Sequence, residues 1–146
     1  MYERILVPTD GSEGATMAVD HAIEFAKRFD AALHTLFVVE TEVGSDAAIA
    51  GAYEAFEAAG QDAVDDVIER AEAASIGTIE GMVAQGTPHR AILEYVEEYD
   101  IDLVVMGTHG RTGIDRLLLG SVTEKVVRLS PVPVLTVGSE EFDEGT

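Results

Sequence analysis

Five short runs rich in Val, Ile and Leu, each separated from the next by a stretch of helical periodicity, constrain this chain more than any other feature. "RILVP" (4–8), "LHTLFVVE" (33–40), "IEGMVAQ" (79–85), "DLVVMG" (102–107) and "PVLTV" (133–137) are nearly unbroken apolar segments of strand length. That is how strands covered on both faces look in a parallel sheet. Between the first two, Ala18, Ala22, Phe25, Ala26 and Phe29 recur at the spacing of one helical stripe. Val64, Val67, Ile68 and Ala71 do the same in a second helix, Ile92, Val96 and Tyr99 in a third, and Val122, Val126 and Leu129 in a fourth. Strand-helix alternation requires right-handed crossovers and predicts an α/β domain of Rossmann-like type, a doubly wound five-stranded parallel sheet. Its ligand crevice should lie beyond the carboxyl ends of the strands, where the winding reverses.

At 146 residues the chain suits one domain with one core. That domain is expected over 1–140, with 141–146 a frayed acidic tail. The Gly/Ala-rich stretch 41–60 has no stable stripe in its first half and reads as a mobile connection into the second helix. Thr87-Pro88 has the form of a cap followed by a proline at the first helical position, and Ser121-x-x-Glu124 has the spacing of a capping box.

The net charge is -19, from 28 acids against two lysines and seven arginines. Self-repulsion at this charge loosens a compact state unless salt screens it, and at molar salt the Debye length is only about 3 Å. The composition therefore suggests a halophilic cytoplasm. It also argues against a nucleic-acid partner, which needs a basic face. Cysteine is absent, excluding disulfides and thiolate metal sites, and no apolar run approaches membrane-spanning length. With no charged, apolar leader at its start, the sequence points to a cytoplasmic location.

Against this acidity, residues 107–128 carry Arg111, Arg116, Lys125 and Arg128 with only Asp115 and Glu124. The same segment contains Gly107-x2-Gly110-x9-Gly120-Ser121, following a buried strand and running into a helix. Glycines there permit positive φ and close backbone approach, and free N–H groups at a helix start attract phosphate. An anion site is the expectation; the alternative is a set of turn glycines with Ser121 as a simple cap. Neither a P-loop nor a dinucleotide fingerprint is present.

Asp10, in "VPTDGS" at the end of the first strand, can accept from a ribose or hold a metal on phosphates, or it can merely cap a helix. In a doubly wound sheet the first and fourth strands are neighbours, so Asp10 should face Gly107. His109 can contact phosphate or assist a water, or simply be solvated in its loop. His21, His34 and His89 have no metal-ligand spacing, and no nucleophile elbow is present.

Together, "ILVPTDGSE", "QGTPHRAI", "DLVVMGTHGRTG", "LLLGSVTEKVV" and "PVPVLTV" resemble the universal stress protein family over nearly the whole chain. The resemblance implies a sheet in the order 3-2-1-4-5, a homodimer and, in the nucleotide-binding branch whose glycines this sequence keeps, ATP, with Mg²⁺ on its phosphates. By resemblance, Pro8, Thr9 and Asp10 line the adenosine and Val38 lies against adenine. Met106 and Gly107 close the base and ribose side, and Gly110, Gly120, Ser121 and Val122 hold the phosphates. His109, Arg111 and Thr123 are carried over with them. With no P-loop lysine, binding in a stress-response or signalling module is expected rather than turnover. The alternatives are a slow ATPase or phosphotransferase using Asp10, Mg²⁺ and His109, and a nucleotide-free interaction scaffold. In the implied order the last strand is an edge. Its apolar residues Val132, Val134, Leu135 and Val137 read as the dimer seam, with Pro131 and Pro133 confining pairing to Val134–Val137.

Overall fold

The computed structural model describes residues 1–40, 47–109 and 119–138. Nine elements alternate: β1 (Arg4–Pro8), α1 (Glu13–Phe29), β2 (Ala32–Val39), α2 (Ala47–Ala73), β3 (Ile79–Gln85), α3 (Pro88–Glu98), β4 (Leu103–Gly107), α4 (Ser121–Leu129) and β5 (Val134–Val137). The strands form one parallel sheet in the order β3-β2-β1-β4-β5. Leu6 at its centre is in register with His34 on one side and Val104 on the other. The winding therefore reverses between β1 and β4, as the alternating pattern predicts.

Strand alternation divides the core. Ile5, Val7, Leu33 and Val105 pack on the face covered by α1 and α2, against Ala18, Ala22, Ala26, Val67 and Ala71. Leu6, Leu36, Val104 and Met106 point to the other face, against Ile92, Tyr95 and Val96 of α3 and Val126 of α4. The small alanines of α1 let that helix lie close to the central strands, which no longer side chain would allow.

Three expectations are corrected. β3 is not covered on both faces: Glu80, Gly81 and Met82 are exposed, because β3 is an edge strand. Gly81 itself is held by packing, since a Cβ there would fall 2.5 Å from Cγ1 of Val64 in α2. The apolar residue Leu129 is 54% exposed rather than part of the α4 stripe. Finally, α2 begins at Ala47, inside the stretch read as a connection, and reaches Ala73. Ala-rich sequence has high intrinsic helix propensity even where no stripe marks a buried face. The tail 141–146 lies outside the described residues.

Helix starts also differ in detail. Ser12 caps α1, its hydroxyl accepting from the Ala15 N–H at 3.2 Å. Thr87 occupies the cap position of α3, with Pro88 following as expected, but makes no side-chain cap bond. The Ser121–Glu124 capping box is not formed. Gly120 holds the cap position with φ -60° and ψ 155°, and its carbonyl accepts the Glu124 N–H at 2.9 Å, so Ser121 already belongs to the helix.

Candidate functional site

The carboxyl ends of β1, β2 and β4 open into a crevice of about 490 Å³, closed by the starts of α1, α3 and α4. Its β1 wall is Pro8, Thr9 and Asp10. Thr9 is buried and its N–H donates to the Leu36 carbonyl at 2.9 Å, tying the wall to β2. The Asp10 carboxylate accepts the Ser12 N–H at 2.9 Å, an Asx turn made possible by Gly11 at φ 77°. Capping α1 thus falls to Ser12, and Asp10 stands half-buried in the crevice wall.

On the β4 side, Met106, Gly107 and His109 line the crevice, so Asp10 and Gly107 share it as expected. Gly107 is required by close approach. A Cβ there would lie 2.9 Å from the Gly14 carbonyl oxygen, and a Cβ on Gly14 would lie 2.9 Å from the His109 carbonyl oxygen. The first turn of α1 is pressed onto the β4 loop. Positive φ, the other reason considered for motif glycines, does not apply to Gly120, whose backbone is open to any residue.

The start of α4 forms the third wall with Gly120, Ser121, Val122 and Thr123. Two bonds fix its distance from β4: the Gly120 N–H donates to the Thr108 carbonyl at 2.7 Å, and the Thr123 hydroxyl donates to the Gly107 carbonyl at 2.8 Å. Thr123 is buried by this bond, so its side chain positions the helix. The N–H groups of the first helical turn have no partner within their own helix, and among the described residues Gly120 at the cap position offers them no side-chain hydrogen bond. With the helix dipole they favour an anion.

Val38, Leu36 and Ile92 supply apolar lining. Of the thirteen residues named from sequence, eleven line this one crevice; Gly110 and Arg111 lie outside the described residues. The basic cluster is only partly brought to it. Arg116 also lies outside the described residues, while Arg128 pairs with Glu124 at 3.5 Å in the last turn of α4. Lys125 lines an adjoining cavity of about 160 Å³ with Glu40, His89 and Ser121. Among the described residues, no three His, Cys, Asp or Glu side chains cluster to hold a metal ion, and no helix is long and apolar enough to cross a membrane.

Sequence reasoning missed Ser12, Gly14, Glu40, Phe56, Pro88 and Ile92. Ser12 had a signal in its capping position, and Ile92 was read only as core. Nothing local marks Gly14, whose role depends on a strand about ninety residues away. His109 bonds with the neighbouring Thr108 side chain at 3.1 Å. His34 is far from the crevice chemistry: it is buried between β2 and α3, its Nδ1 is 2.7 Å from the Tyr95 hydroxyl, and burial lowers its pKa.

Comparison with known proteins agrees with the geometry. The chain is 38% identical over 141 residues to universal stress protein MJ0531 of Methanocaldococcus jannaschii, covering 94% of this chain and 82% of that one. Its fold superposes on universal stress protein UspA of Lactobacillus plantarum with a TM-score of 0.86, at 29% identity and covering 93% and 97% of the two chains. A universal stress protein solved in complex with cAMP matches at 33% identity and a TM-score of 0.72, covering 93% of this chain and 97% of that one. The family model described as "Universal stress protein family" matches residues 1–138. A five-stranded sheet in this order, a crevice at its switch point and relatives of this similarity lead to one conclusion: the chain belongs to the universal stress protein family.

Proposed function

We propose that the chain is an ATP-binding module for stress response or signalling, working as a homodimer. The observation that carries this reading is the convergence of an open helix N-terminus, the Asp10 carboxylate and an apolar wall in one crevice. Its volume of about 490 Å³ falls within the roughly 300–1,000 Å³ usual for small-molecule sites. The phosphates lie at the start of α4, held by the N–H groups of Ser121 and Val122 and the Ser121 hydroxyl, with Gly110 and Arg111 as further phosphate contacts. The base lies against Val38 and Met106. Pro8 and Thr9 flank the ribose, and Asp10 accepts from a ribose hydroxyl or holds Mg²⁺ on the phosphates. Bound Mg²⁺ supplies neutralisation of phosphate charge. The relative solved with cAMP supports an adenine nucleotide as ligand. No catalytic residue is assigned; the role is binding.

The dimer reading rests on β5. Pro133 and Val137 turn their carbonyls to β4, accepting from Val104 and Thr108 at 3.0 Å each. Alternation then turns the backbone groups of Val134 and Thr136 outward. Val137 and Leu135 pack on the α1 face of the core, and Val132 and Val134 on the other. The seam is therefore the outward backbone edge of β5, with Val127 and Leu129 of α4, 43% and 54% exposed, as further apolar surface on the same chain.

Mass spectrometry of denatured, freshly purified protein tests for retained nucleotide, and calorimetry tests binding directly. Mg·ATP should bind, and Asp10→Ala should weaken it by about 1.5–3 kcal/mol, the worth of a hydrogen bond to a charged group. A wild-type protein that binds no ATP, with or without magnesium, overturns the reading.

A further inference from the structure

Phe56 is a large apolar side chain that the fold leaves 49% exposed at the wall of the crevice. Its placement follows from α2. A Cβ on Gly60 would fall 2.5 Å from the Phe37 ring, so the Gly60 side of the helix lies directly on β2 at Phe37. Phe56 precedes Gly60 by four residues and therefore points from the same side. It sits about 6 Å nearer the helix start at 1.5 Å rise per residue. At Phe37 the strand is near its end, Val39. One turn nearer the start of α2, the helix face looks past the sheet and over the crevice mouth.

The crevice is also polarised. The anion-attracting start of α4 forms one wall, and the apolar side chains of Val38 and Phe56 line other parts of the crevice, while Glu40 lies with Ser121 and Lys125 around the adjoining cavity. An anionic ligand is therefore oriented with its phosphates at Ser121 and its uncharged portion toward Val38 and Phe56. We infer that Phe56 is a specificity-determining residue of this site, an aromatic cover that stacks on the planar base of the bound nucleotide and selects ligands carrying such a ring. The inference rests on the nucleotide-binding reading above. It gives the half-exposed ring a function: ligand binding removes from water an apolar surface that the free fold cannot cover.

Calorimetry with Mg·ATP, adenosine and inorganic tripolyphosphate tests this on wild type, Phe56→Ala and Phe56→Tyr, with circular dichroism to verify the fold. Loss of one base–aromatic stack should weaken ATP and adenosine by roughly tenfold in Phe56→Ala and leave tripolyphosphate unaffected. Phe56→Tyr, which keeps the ring, should bind as wild type does. In nuclear magnetic resonance the adenine C2 and C8 protons should shift upfield on binding wild type and lose that shift with Phe56→Leu, which keeps apolar volume without a ring. Wild-type affinity of Phe56→Ala for ATP and adenosine overturns the role of Phe56 and leaves the nucleotide reading standing. An equal loss for tripolyphosphate also overturns it, because the residue would then shape the crevice for any ligand. A wild-type protein that binds neither ATP nor adenosine removes the nucleotide reading itself.

Discussion

Gly107, the last residue of β4, and Gly14, in the first turn of α1, meet backbone to backbone: a Cβ on Gly107 would lie 2.9 Å from the Gly14 carbonyl oxygen. The neighbour is main chain and cannot swing aside, so Gly107→Ala must push α1 from the β4 loop. Overpacking of this kind costs about 1–3 kcal/mol. Urea denaturation should show the loss, and affinity for ATP should fall with it, because Gly107 also accepts the Thr123 hydroxyl that sets α4. Unchanged stability in Gly107→Ala would mean that the helix start yields freely.

Gly120 behaves differently. Its φ of -60° and ψ of 155° suit any residue, so Gly120→Val should fold normally. The added side chain would instead stand at the phosphate end of the crevice. ATP affinity should fall by about 1.5–3 kcal/mol, the value of hydrogen bonds to a charged group, while adenosine, lacking phosphates, should lose much less. Equal affinity of mutant and wild type for ATP on calorimetry would put the phosphates elsewhere.

At the β5 edge, Thr136 is exposed and its N–H points away from β4 by strand alternation. Thr136→Pro removes one outward donor without touching the sheet's own ladder, a position where proline is tolerated. Sedimentation at high salt should show monomers with an unchanged fold. A dimer that persists would move the seam away from this edge.

With a net charge of -19, stability should rise with ionic strength as the acids are screened from one another. Thermal melts from low to molar salt measure this. A melting temperature that ignores salt would remove the halophilic reading.

His34 supplies a pH dependence. Burial lowers its pKa, opposed by Glu80 and reinforced by Arg4. The folded state therefore favours the neutral ring, while the unfolded chain protonates near the ordinary value of about 6.5. Stability is full above that value and falls as pH drops below it toward the folded pKa, because the unfolded state binds more protons there. His34→Gln, which keeps a polar partner for the Tyr95 hydroxyl, should flatten the melting temperature between about pH 7 and 5.5. The same slope in mutant and wild type would assign it to other groups.

The alternation of apolar runs with helical stripes determined the strands, their parallel arrangement and the end of the sheet where a site must lie, because a strand-length apolar run between two helical stripes is a local mark, present even in β3, whose faces are only partly covered. Asp10, Gly107 and Gly120 could be named from sequence because a strand end and a helix start are marked locally, but what confines Gly107 could not, since its limit is the Gly14 carbonyl. Other roles were decided only by tertiary structure. Gly14 is confined by a strand that the chain reaches long after, Thr123 turns its hydroxyl to Gly107, and Leu129 is left exposed despite its place in an apolar stripe. Phe56 comes to the crevice because Gly60 lets α2 settle on Phe37. Distances between residues remote in sequence settle each of these, and a periodic pattern records which face a residue takes but not what it will meet there.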